Sequence, residues 1–141
     1  MIRLIAAIDA RRGLARDDTM PWHLPEDVAR MRQLLEGKDV LVGQKTLESF
    51  GKHLPVGATF FTAHRGMDFP AFFAEHPDAW VAGGEQVYAA TIAYADELYL
   101  TEIAQDYNCD KFFPEYQQDF ALVQQEPRDG YTYSVYQRHT L

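Results

Sequence analysis

The chain has 141 residues, 47% of them hydrophobic and 24% charged, enough to bury a core without a metal or disulfide staple. A formal net charge of −8 excludes a nucleic-acid backbone or an anionic membrane as the expected partner, because both need clustered cations. Cys109 is the one cysteine, which excludes an internal disulfide and fits a reducing, cytoplasmic setting. One soluble domain over 1–141, a monomer with a small-molecule partner and no metal, is therefore expected; a nucleotide cofactor stays open, since helix N-termini can hold phosphates in an acidic protein.

Residues 2–8 form a dense apolar run bounded by Asp9 and Gly13, the pattern of a strand buried on both faces. The run is too short, and too soon interrupted by Asp9, for a signal peptide or a spanning helix. Residues 13–22 read as a mobile loop. Met20, Pro21 and Trp22 give its end an apolar surface that could lie over a planar ligand, although Trp22 could equally be a staple onto the next helix.

Pro25–Leu35 has helical spacing, with Pro25 suited to the first turn. Val28, Met31, Leu34 and Leu35 define its apolar face, and Asp27 falls on or beside that face. One reading makes Asp27 a first-turn acid favoured by the helix dipole, worth about 0.3–1 kcal/mol. The other points its carboxylate into a partly dry pocket, where it needs a complementary donor pair. Arg30 is expected on another face and Arg32 at the margin of the stripe. The donors would then come from a ligand, and an amidine-like N–H pair matches a carboxylate bidentately.

Residues 40–42 read as a strand ending at Gly43-Gln44-Lys45-Thr46. Thr46 offers a hydroxyl and an N–H to a phosphate and Lys45 a charge, but simple N-capping uses the same residues. Thr59–Thr62 is a third strand followed by His64-Arg65, where an arginine could separate NADP from NAD. Within 66–79, residues 69–74 read as a short helix that Pro77 must end. A strand at 80–82 leads through Gly83-Gly84 into a helical stretch at 85–94. Adjacent glycines let a backbone approach a ligand closely, though no complete G-x-G-x-x-G is present. Two such junctions favour a dinucleotide at the carboxyl ends of the strands. Glu97–Ile103 and parts of 120–125 and 131–137 alternate in period two, with Asp129-Gly130 as a hairpin signal. The order β-loop-α-β-α-β-α-β-α-β-β-β predicts an α/β fold: a mainly parallel central sheet, flanking helices and a C-terminal antiparallel hairpin.

Together these residues resemble the dihydrofolate reductase family over nearly the whole chain. The landmarks are Ile5-Ala6-Ala7, Met20-Pro21-Trp22, Leu24-Pro25-x-Asp27, Gly43-x-x-Thr46, Glu48-Ser49-Phe50-Gly51, Leu54-Pro55, Gly83-Gly84-x-x-Val87-Tyr88, Leu98-Tyr99-Leu100-Thr101 and Phe113-Pro114-x-Tyr116. The resemblance implies NADPH-dependent reduction of 7,8-dihydrofolate, with hydride delivered to C6 and a proton to N5. It implies that Asp27 binds the pterin 2-amino group and N3 while Thr101 supports its carboxylate. Met20 and Trp22 would belong to the lid and the ordered-water path. Ile5, Ala6, Met31, Phe50 and Leu54 would contact substrate, and Ala7 would offer backbone bonds to the nicotinamide carboxamide. Leu14, Gly43, Gln44, Lys45, Thr46, Thr62, Gly83, Gly84, Glu85, Gln86, Val87 and Tyr88 would line the cofactor, with His64 and Arg65 near its 2′-phosphate. Such chemistry needs no metal, nucleophilic serine or activated cysteine. A sheltered acid should titrate above the reference of about 3.9.

The match departs from the family after Leu54-Pro55. Gly57 stands where members usually carry an arginine for the α-carboxylate of the glutamate tail, a loss of about 1.5–3 kcal/mol. Either Arg32 or Lys52 replaces it from another side, or the preferred substrate is a tail-less dihydropterin. Gln44 stands where a basic residue is frequent and 66–79 is short, so a weaker preference for NADPH is expected. A riboflavin-pathway reductase acting on a phosphorylated pyrimidine would explain Gly57 but not Pro21-Trp22 with Asp27. A non-catalytic pterin- and NADP-binding protein would explain the missing arginine but not the survival of Asp27, Trp22 and Thr101.

Overall fold

In the computed structural model, which describes residues 1–139, the N-terminal apolar run becomes the middle of a seven-stranded sheet. In chain order the elements are β1 (Arg3–Ile8), β2 (Gly13–Ala15), α1 (Pro25–Leu35), β3 (Asp39–Val42), α2 (Gln44–Phe50), β4 (Thr59–Thr62) and α3 (Phe69–Glu75). They continue with β5 (Trp80–Val81), α4 (Glu85–Thr91), a 3-10 turn (Ile92–Tyr94), β6 (Glu97–Ile103), β7 (Lys111–Phe112), β8 (Phe120–Pro127) and β9 (Tyr131–Arg138). The sheet runs β4-β3-β5-β1-β6-β9-β8. Strands from β4 to β6 are parallel, and the β8–β9 hairpin adds antiparallel to β6. This is the expected mainly parallel sheet with its C-terminal antiparallel edge.

Strand alternation sorts the core into two layers. Leu4, Ala6, Ile8, Leu41, Val81, Leu98 and Leu100 pack on one face with Phe73, Tyr88 and Phe113. Ile5, Val40, Val42, Trp80 and Ala82 pack on the other with Leu35 of α1 and Phe50 of α2, and Met31 and Tyr99 lie against them. Pro25 opens α1, and Gly37 (φ +69°) turns the chain sharply after it, where a side chain would be strained. In α3 the Asp68 carboxylate accepts from Ala71 N at 3.0 Å, so the weakly patterned stretch has a true N-cap and reaches Glu75.

Two features differ from the expected order. Residues 13–22 are not one loop, because β2 pairs with β7 in a separate two-stranded ribbon. Residues 16–19 then close a tight turn, with Arg16 N donating to Thr19 O and Thr19 N to Arg16 O. Gly13 permits the ribbon: a Cβ there would lie 2.5 Å from Cys109 Cβ and 2.7 Å from Asp9 Oδ1. Second, the helical stretch 85–94 divides into α4 and the 3-10 turn. Among the described residues, no helix is long and apolar enough to cross a membrane, and no group of three or more His, Cys, Asp or Glu is placed to hold a metal.

Candidate active site

β5 stops at Val81, opposite Leu4, while β1 continues to Ile8. From Ile5 onward the backbone of β1 therefore has no strand neighbour on that side, which opens a crevice in the middle of the sheet. On its other side β1 stays paired with β6, Ala7 opposite Thr101. One short stretch of strand thus borders both the α1 face and the Gly83-Gly84 junction.

On the α1 face, Thr101 Oγ1 donates to Asp27 Oδ1 at 2.5 Å. Thr101 is buried, so its hydroxyl fixes the carboxylate from beneath. Burial pushes the Asp27 carboxyl above its ordinary value; the Thr101 hydroxyl and the charge of Arg30 pull it back only partly. The expectation for Arg30 is corrected here. Its guanidinium sits 4.0 Å over the ring of Tyr133, the β9 neighbour of Thr101, and this cation–π contact brings its charge to the Asp27 side of the helix. The spacing of three residues between Asp27 and Arg30 was the available signal.

Ile5, Met31 and Phe50 share the apolar layer on this face. Ala6 has its side chain in the opposite layer and its backbone alongside Leu100 of β6, so the structure does not bring it to this face. Leu54 and Lys52 are exposed beyond α2. Met20 is 58% exposed. Trp22 is half-buried with its ring edge-on to Tyr107 at 5.5 Å, in the segment after β6.

At the glycine junction, Gly43 N donates to Gly83 O at 2.8 Å and ties the ends of β3 and β5 together. A Cβ on Gly83 or on Gly84 would lie 3.2 Å from a Thr46 side-chain atom, and Gly83 has φ +124°. Tyr88 is buried and its hydroxyl donates to Ile5 O at 2.5 Å. The same hydroxyl lies 3.5 Å from the Cβ position of Gly83. Tyr88 thus bridges the strand that borders the acid and the junction itself. Ala7 has the same parity as Ile5 along β1, so its backbone groups face the same opening.

Neither α2 nor α4 has a side-chain cap at its N-terminus. Their first N–H groups and the close glycine–Thr46 cradle fit a dinucleotide backbone. Gln44, Lys45 and Gln86 are exposed, with Gln44 Nε2 donating to Glu48 at 3.0 Å and Lys45 4.0 Å from Asp18. Thr62, the last residue of β4, is exposed opposite Val42 of β3, and His64 and Arg65 are exposed just beyond it. Leu14 and Val87 pack against the core. Glu85 points its carboxylate at Phe112 N, 2.8 Å away. Sequence reasoning also passed over Asp9, whose buried carboxylate accepts from the N–H groups of Arg11, Gly13 and Tyr107 at 2.7–2.9 Å.

Fold and site together define an α/β protein in which a sheltered acid and a nucleotide-type glycine junction border one strand. The family model for dihydrofolate reductase matches residues 1–139. The chain is 32% identical to the dihydrofolate reductase of Bacillus subtilis (strain 168), covering 89% of this chain and 83% of the relative. It is 34% identical to dihydrofolate reductase type A13 of Escherichia coli, covering 97% and 94%. A solved dihydrofolate reductase from Enterococcus faecalis, complexed with NADP(H) and RAB-propyl, matches with a TM-score of 0.83 at 22% identity, over 99% of this chain and 97% of that one. The chain belongs to the dihydrofolate reductase family.

Proposed function

We propose that this protein is an NADPH-dependent oxidoreductase that reduces 7,8-dihydrofolate to tetrahydrofolate, with Asp27 as the group that recognises and activates the pterin. The observation that carries this reading is the Asp27–Thr101 pair, a carboxylate held by a buried hydroxyl with burial raising its pKa. NADPH, bound across the glycine junction, supplies the hydride. Asp27 holds the amidine edge of the pterin, and Thr101 fixes the carboxylate so that one orientation of the ring is favoured. Burial raises the carboxyl pKa and so favours a proton at Asp27 for N5, relayed by water beneath Trp22 and Met20. Ile5, Met31 and Phe50 keep the rest of the ring dry. The backbone of Ala7 orients the nicotinamide, and Thr46, Gly83 and Gly84 seat the phosphates.

The glutamate tail is held weakly. Gly57 supplies no cation, and Arg32 is the candidate replacement: it shares a cavity of about 180 Å³ with Ala29, Gln33, Glu36 and Val56, and its Nε is buried without a partner among the described residues. Steady-state reduction of dihydrofolate and of a tail-less dihydropterin, side by side, tests both statements. The expected kcat/KM ratio is below about tenfold in favour of dihydrofolate, since a full charge-assisted grip would give about 10–150-fold. A ratio in that higher range would show a complete tail site, and no turnover of either substrate would sink the reductase reading.

A further inference from the structure

Glu85 is the first residue of α4 and directly follows Gly83-Gly84. An acid in that place normally stays solvated near the helix dipole. Here its Oε2 leaves its own helix and accepts the backbone N–H of Phe112, 27 residues further along the chain, at 2.8 Å in a part-buried setting. Phe112 is one of the two residues of β7, whose partner is β2, with Phe112 opposite Gly13. The ribbon is already held at its β1 end, where Asp9 accepts from Gly13 N and Tyr107 N, Phe113 N donates to Arg12 O, and the Arg12 guanidinium donates to Phe113 O. Among the described residues, the Glu85–Phe112 bond is the hydrogen bond that joins this ribbon to α4. From Ala15 the chain passes straight into the turn at 16–19 and on to Met20 and Trp22.

We propose that Glu85 is a positioning residue: it latches the lid-bearing ribbon to the cofactor junction, so that dinucleotide affinity depends on the ribbon being in place. Two physical consequences follow from the one bond. Phe112 N–H, an outward donor of a two-residue strand, gains an acceptor it otherwise lacks. The carboxylate, held toward Phe112, is also kept away from the phosphates that the proposed function seats on the α4 N-terminus. Released, it would be an anion free to swing beside them.

The test compares wild type with Glu85→Ala and Glu85→Gln. Both substitutions remove the charge, but glutamine retains a carbonyl acceptor for Phe112 N–H. Amide exchange at Phe112 should rise at least tenfold in Glu85→Ala and stay within threefold of wild type in Glu85→Gln, with Val135 in β9 unchanged in both as a check on the fold. NADPH titrations, followed by cofactor fluorescence, should give a Kd for Glu85→Ala at least threefold above that for Glu85→Gln. Equal Phe112 exchange in wild type and Glu85→Ala overturns the latch. Equal Kd values in the two variants would show that the acceptor does not govern affinity, which also overturns it. The kinetic meaning rests on the reductase reading, but the exchange measurement does not. NADPH failing to bind any of the three proteins would defeat the reductase reading while Phe112 still decides the latch.

Discussion

In the proposed reaction Asp27 meets two requirements that conflict: it must be sheltered enough to select a flat heterocycle, yet ionisable enough to work. The Thr101 bond and the charge of Arg30 moderate a burial effect that would otherwise dominate. Replacing Asp27 by Asn should lower the hydride-transfer rate by roughly 10²–10⁴-fold, and the wild-type rate should fall toward alkaline pH as the carboxyl ionises. Stability should move the other way. A raised carboxyl pKa means that the folded state binds the proton more tightly than the unfolded chain. Its favourable contribution is complete below about 3.9 and is lost as pH rises through the native value. Asp27→Asn should therefore gain thermal stability relative to wild type between pH 4 and pH 8, and unfolding scans at both ends check the sign. The acid itself was legible from its place beside an apolar helical stripe. The nearness of Arg30 was available from its spacing, but its anchor was not, because the register of β9 on β6 decides that Tyr133 stands where the guanidinium is drawn in.

The legibility of each element depends on whether side chains or backbone groups specify it. β6 was legible because 97–103 alternates in sequence, and β9 because parts of 131–137 do, with Asp129-Gly130 marking the turn before it. The β2–β7 ribbon has three residues against two, too few to show any period. It is specified by acceptors from elsewhere, Asp9 and Glu85, and by the missing side chain of Gly13. Gly13→Ala should consequently destabilise the protein by about 1–3 kcal/mol through overpacking against Cys109 and Asp9, although alanine differs by one methyl. Urea unfolding should show a lower midpoint with an unchanged m-value. Substitution of Cys109 by Ala in the same chain should recover part of that loss.

Across the molecule, the parallel sheet and its antiparallel edge were readable from the succession of strands and helices, whereas the order β4-β3-β5-β1-β6 was not. Strand order comes from which layers of Leu, Val and Ile interdigitate, and neighbouring apolar runs look alike in sequence. The whole-molecule response to acid is set by carboxyls of opposite sign. At Asp9 burial raises the carboxyl pKa, but the N–H groups of Tyr107, Arg11 and Gly13 with the Cys109 thiol outweigh it, and the net shift is downward. Its stabilisation is complete above about 3.9 and disappears as pH falls through the native value. Asp9→Asn leaves Tyr107 N–H facing a competing donor and should cost about 1–3 kcal/mol at pH 7. That deficit should shrink below pH 4, as followed by urea midpoints across the range.

The seat of β1 between β5 and β6 has a consequence for vectorial synthesis. β1 leaves the ribosome well before its partners and waits for Trp80 and then Glu97 before either flank is covered. Until then its Leu4, Ile5 and Ile8 are an adhesive tract in a nascent chain, open to chaperones and to other polypeptides. The residues that later border the proposed active site are thus among those most dependent on protection during translation.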